Sequence, residues 1–194
     1  MAKHTFQEVQ AMISANPKLQ KSNSFYRYFA SSFVSHSVIG LRRQIKTDSQ
    51  SISFAGLLTE MIETPEILSR AYYVSLYVGS SVENFANNDF DRFSGHGETH
   101  IDANRVSADL KRLRDATKRC EDFADKRLAH RDKRDPKQLP TYNEVNDCIA
   151  LLDELYVRYH LLFHAQAMTS LLPSWQYDWK EIFRIPWIVG EHKR

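Results

Sequence analysis

From Glu98 to Asp135 the chain carries neither glycine nor proline, and the run from Thr141 to Leu172 is equally free of both. Backbone without such breakers favours continuous helix, and the apolar residues in these runs recur at helical spacing rather than alternating. Six glycines and six prolines, thinly spread over 194 residues, leave room for long helices elsewhere as well. No stretch reads as a convincing strand, and no internal repeat or low-complexity tract is present. The expectation is an all-α bundle of long antiparallel helices in one domain, residues 1–194, large enough to bury a substantial core.

In chain order, Thr5 to Ala15 reads as a short N-terminal helix within residues 1–17, ended by Asn16-Pro17. From about Leu19 to Lys46 the apolar residues lie on several sides, as in a helix central to a bundle, and Phe29, His36 and Arg43 share one face. A shorter helix from about Ser53 to Thr64 precedes Pro65. Glu66 to about Asn87 reads as another strongly apolar helix, followed by a loop to Gly97 with a distorted turn around Phe90 and Phe93. Thr99 and Asp102 form a weak capping-box variant for a helix from about His100 to Arg131. Thr141-Tyr142-Asn143-Glu144 is a clean capping box that opens a helix to about Ser170. Residues 171–194 form an aromatic strap with Trp175, Tyr177, Trp179, Phe183 and Trp187, expected to pack on the bundle.

Advancing about 100° per residue along the His100–Arg131 segment puts Leu110, Leu113, Ala116, Cys120, Ala124 and Leu128 on the buried stripe. Arg112, Arg119, Lys126 and His130 line its flank. Arg127 points into the apolar stripe itself, where it needs a carboxylate or carbonyl partner or a cleft to face.

The net charge of +2 does not announce a nucleic-acid binder. Yet between Glu8 and Asp48 there is no acidic residue, while Lys18, Lys21, Arg27, Arg42, Arg43 and Lys46 lie in that interval. Such a segment suits a phosphate-facing surface, and equally a solvated basic edge balanced by acids elsewhere in the fold. Cys120 and Cys148 lie in apolar-patterned segments and read as buried small hydrophobes rather than a disulfide. The N-terminus lacks the apolar core of a signal peptide and no apolar run approaches the length of a membrane span, so a cytoplasmic protein is expected.

His96-Gly97-Glu98-Thr99-His100 places two histidines four apart, but Gly97 stands where a zincin has its glutamate, and no metal or cofactor is expected. There is no phosphate-cradling glycine motif and no nucleophile elbow. The most chemical stretch is Cys120 to Asp135, where Lys126, Arg127, His130, Arg131 and Asp132 crowd the end of a helix. Among fixed cations and carboxylates, a histidine's proton affinity shifts across neutral pH, as a general acid or base requires. The structural alternative is a helix C-terminus whose cations complement the dipole.

Four separated segments carry a resemblance. Leu41-Arg42-Arg43-Gln44-Ile45 followed by Ser51-Ile52-Ser53-Phe54-Ala55-Gly56-Leu57-Leu58 looks like the second block of the AbiU-like abortive-infection proteins. Asp125-Lys126-Arg127-Leu128-Ala129-His130-Arg131-Asp132 resembles their central motif. Thr141-Tyr142-Asn143-Glu144 and the ending Trp179-Lys180-Glu181-Ile182-Phe183-Arg184-Ile185-Pro186-Trp187 fit as well. That group belongs with the HEPN-like superfamily. The resemblance implies a helical bundle, frequently a homodimer, and often a metal-independent ribonuclease in phage defence, with RNA as substrate and an antitoxin as partner.

The superfamily site is an arginine followed after four to six residues by a histidine at a helix end, two copies meeting across the dimer. Carried onto this chain, His130 becomes the acid/base. Arg127 and Arg131 become the cations facing phosphate, Lys126 their support, and Asp125 or Asp132 the group orienting His130. Arg119, Arg42, Arg43 and Lys46 become RNA-binding residues. The chain departs from the pattern at one point: aligning Ala129-His130 puts Asp125 where the arginine belongs. A non-cleaving RNA- or protein-binding member is therefore the alternative. Arg158 and His164 match the spacing literally, but six residues on a continuous helix separate them by about 120°, on different faces.

Overall fold

The computed structural model describes residues 1–186 apart from 22, 49, 130–132, 134 and 137. These residues form helices and turns, with no strand among them beyond one isolated antiparallel bridge between Ser69 and His100. The all-α expectation holds.

Helix α1 (Ala2–Ala15) starts a little earlier than its pattern, and α2 (Ser24–Ile45) starts later, where the Asn23 side chain accepts from the Tyr26 amide at 2.7 Å. In α3 (Phe54–Glu63), Ser53 is the cap and accepts from Gly56 at 2.9 Å. The apolar helix expected over Glu66–Asn87 does not form. Pro65–Ile67 is a single tight turn, and α4 (Arg70–Ser75) is short. α4 closes at Leu76, and the turns beyond it reach Gly79, whose φ of 78° is a conformation that favours glycine. A short 3-10 turn at Glu83–Phe85 leads into α5 (Ala86–Ser94), which crosses the stretch expected to be loop. Gly95, at φ 92°, closes α5.

α6 (Ala103–Phe123) is capped by Asp102, whose side chain accepts from the Asn104 amide at 2.8 Å. Thr99 is not its cap: the Thr99 carbonyl accepts from the Arg70 amide at 2.8 Å, beside the Ser69–His100 bridge. After Phe123 the α pattern gives way to a π-turn over Ala124–Leu128, marked by the Ala129 amide donating to the Ala124 carbonyl at 2.8 Å. α7 (Tyr142–His164) opens with the expected capping box, Thr141 and Glu144 satisfying each other's backbone amides. It ends at Ala165, in the left-handed region at φ 52°, short of the expected Ser170.

α6 and α7 run antiparallel, as the pairs Asp109–Arg158, Arg112–Glu154 and Arg119–Glu144 require. Two apolar clusters form along them. One joins α3, α4 and α5 to Val106, Leu110 and Leu113 of α6 and to Leu151, Leu155, Tyr159 and Leu162 of α7. The other joins Phe6 of α1 and Phe33, Val38 and Leu41 of α2 to Cys120, Ala124, Val145 and Cys148. Phe6 and Phe33 stack at 4.1 Å. The described part of the strap is held back by Asp153, which accepts from Ser170 and Leu171, and by Lys180 bonding Glu8 at 2.5 Å. Trp175 and Trp179 are half-buried and 5.6 Å apart, but residues 181–186 are exposed, so packing of the strap is partial; Trp187 lies outside the described residues.

Removing the capping hydroxyl should be felt locally. Thr141→Ala is expected to cost about 1 kcal/mol in urea unfolding, because it leaves the Glu144 amide in the first turn of α7 without its acceptor. Thr141→Ser should restore most of it.

Candidate functional site at the end of the sixth helix

The π-turn sets the geometry here. It spends one more residue per turn than an α-helix, so side chains beyond Ala124 fall behind the 100° projection. Ala124 remains fully buried and Leu128 half-buried, but Arg127 leaves the apolar stripe where periodicity placed it. Its side chain is 40% exposed and pairs with Asp135, itself 76% exposed. Arg127 thus has a carboxylate partner, found at the surface rather than inside the core.

Asp125 is the hub of the site. Its carboxylate accepts from Arg42 Nε at 2.5 Å and from Lys46 Nζ at 3.2 Å, and Lys46 also bonds Glu121 at 2.7 Å. Both cations sit on the last turn of α2 and the residue after it, so this network ties α2 to the π-turn. Partial burial pushes the Asp125 carboxyl up, but hydrogen bonds from Arg42 and then Lys46 outweigh it and hold the group below its ordinary range. Lys46 is raised, first by its hydrogen bond to Glu121. Lys126 bonds Asp122 one turn back at 2.7 Å. Arg119 bonds Glu144, the acidic member of the α7 capping box, whose carboxyl is lowered first by the Thr141 amide.

Arg42, Lys46, Arg119, Lys126, Arg127 and Asp125 are therefore all engaged in ion pairs. Arg43 is exposed on α2 and makes no ion pair among the described residues. The same is true of Lys18, Lys21 and Arg27. His130, Arg131 and Asp132 lie outside the described residues. A cleft of about 630 Å³ beside the hub is lined by Asp115, Glu121, Asp122, Asp125 and Glu144 against Lys118 and Arg119. A phosphate approaching from this side meets more carboxylate than cation.

No protein-family model, curated protein or solved structure matches this chain.

The remaining sequence candidates are placed apart from the hub. Cys120 and Cys148 are buried free thiols with sulfurs 3.9 Å apart. The hydrogen bond to Cys148 and burial push the Cys120 thiol up, away from thiolate chemistry. His96 bonds Asp91 at 3.0 Å, whereas His100 bonds the Thr99 hydroxyl, so the two are differently engaged. Arg158 is bonded to both oxygens of the buried Asp109, at 3.0 and 2.7 Å, while His164 packs against His160. The literal arginine–histidine match is split between two environments.

Two groupings escape a reading built on periodicity. Asp109 also accepts from Tyr159 Oη at 3.0 Å, and the cluster borders a cavity of about 680 Å³. Burial, then the Asp109 charge, push the Tyr159 hydroxyl up, so it stays a neutral donor. The other grouping is His160 with His164, legible in the sequence only as two histidines one turn apart.

Proposed function

We propose that this chain is a HEPN-like abortive-infection protein that binds RNA without cutting it. What carries the reading is Asp125, which occupies the superfamily's arginine position and is tied to Arg42 and Lys46. A catalytic cation there would stabilise charge developing on phosphorus; a carboxylate would oppose it. Binding falls to the cations with no ion pair among the described residues, Lys18, Lys21, Arg27 and Arg43, at and before α2. Contacts of this kind are dominated by the backbone phosphates and weaken steeply with salt.

A second reading, a metal-independent ribonuclease centred on His130 in a homodimer, is favoured by the π-turn. Such turns recur at functional sites, and this one delivers Arg127 to the surface in a pair that solvent screens heavily. One set of measurements separates the two. Binding to a single-stranded RNA should fall steeply between low and high salt, and Arg43→Glu should weaken it at every sequence tested. No RNA should be cut in chelated buffer. Binding indifferent to salt overturns the first reading. Cleavage in chelator that disappears in His130→Ala establishes the second.

A further inference from the structure

His160 and His164 stand one turn apart near the C-terminal end of α7, with ring centroids 4.5 Å apart and planes inclined by 38°. His160 is half-buried and His164 exposed. The decisive contact is the 3.2 Å approach of His160 Nδ1 to the Gln166 carbonyl oxygen. A carbonyl can only accept, so Nδ1 holds the hydrogen and Nε2 is left with the lone pair. A ring fixed in this way, one nitrogen donating to a carbonyl and the other open, is the arrangement that prepares a histidine for a metal.

The backbone makes that contact possible. Ala165 ends the helix in the left-handed conformation, its amide donating to the Leu161 carbonyl at 2.9 Å, and the turn brings Gln166 back over His160. The carbonyl end of a helix is also where positive charge is favoured. The pair borders an open cavity of about 320 Å³ whose other walls are Phe54, Leu57, Tyr156, Tyr159 and Phe163.

We propose that His160 and His164 form a two-imidazole site for a late first-row divalent cation. The donor type suits zinc, nickel and copper, with copper(II) bound most tightly. Among the described residues no group of three or more His, Cys, Asp or Glu side chains converges as a metal cage. The remaining coordination positions at this pair therefore fall to water or an external donor. The site is thus open rather than a closed structural one. It stands independently of any action on RNA.

The test uses the full chain without an affinity tag, carrying His4→Gln in every sample so that no imidazole beside the amino terminus competes for the metal, stripped with chelator and titrated with copper(II). The tightest equivalent should weaken roughly tenfold or more in His160→Ala and in His164→Gln. Nitrogen hyperfine structure in its paramagnetic resonance spectrum should fall from two imidazoles to one in either variant. His96→Ala with His100→Ala should leave both readouts unchanged, and zinc should bind more weakly than copper. His164 is exposed, so His164→Gln carries the test alone if His160→Ala disturbs folding. Unaltered affinity and hyperfine structure in His164→Gln, or loss of the tight equivalent in the His96/His100 double variant, overturns the proposal.

Discussion

Phe90→Ala is expected to destabilise the protein by about 3–5 kcal/mol, the range for deleting a buried aromatic ring. Phe90 is wholly buried in α5, 5.4 Å from the Tyr73 ring and 4.9 Å beneath the Arg70 guanidinium. The packing around it includes the hydrogen-bonded Tyr73–Tyr77 pair, whose Tyr77 hydroxyl donates to Asp89, so collapse into the vacated volume is restricted. For a chain of this length the loss corresponds to a fall in melting temperature of about 6–20 °C. Phe85, five residues earlier and largely exposed, is the control: Phe85→Ala should stay within about 0.5 kcal/mol. Equal effects of the two changes in thermal unfolding would mean that α5 is not part of the core.

The second large effect is expected at Arg70. Its guanidinium donates to the carbonyls of Glu98 at 2.7 Å, Asn87 at 3.1 Å and Gly95 at 3.2 Å. It also reaches Asp91 Oδ1 at 2.6 Å and Ser94 Oγ at 3.1 Å. One side chain thus fastens both ends of α5 and the following loop to the start of α4. Arg70→Ala removes its hydrogen bonds to those carbonyls, of which Gly95 keeps those from Ser94 Oγ and the Glu98 amide, and uncovers the Phe90 ring, an expected loss of about 2–4 kcal/mol in urea unfolding. Arg70→Lys keeps the charge but not the planar fork, and should recover less than half. The loss should persist in high salt, because salt screens the Asp91 charge but not the carbonyl hydrogen bonds. A loss that vanishes in salt would reduce Arg70 to a simple counter-ion.

These two sites also show where sequence reasoning stops. The Thr141–Glu144 box was legible because both partners lie within one turn, and the apolar spacing of α6 and α7 is equally local. Phe90 looked like part of a loop because what makes its segment helical is distant: Tyr73 and Arg70 across the chain, and Gly79 interrupting the pattern before it. Arg127 was misplaced for a different reason. A projection at constant pitch cannot contain a π-turn, and every side chain after the extra residue is displaced.

At the candidate site the residue types were legible and their company was not. Arg42 and Asp125 are 83 positions apart, and no periodicity connects them. The expectation that Arg42 and Lys46 face RNA and the alternative that they balance acids elsewhere were equal on sequence. The geometry favours the second for these two, whereas Arg43 and the cations before it make no ion pair among the described residues. His130 lies outside the described residues, and the cleavage measurement decides its role.

The antiparallel pair α6–α7 has a thermodynamic consequence of its own. Each of these helices gives one end to the first apolar cluster and the other end to the second, and Leu152 touches both. Neither cluster can therefore loosen while its neighbour stays intact without bending or fraying a helix they hold in common. Damage at the α5 end should be transmitted to the α1–α2 end, so that the molecule melts as one cooperative unit rather than in halves.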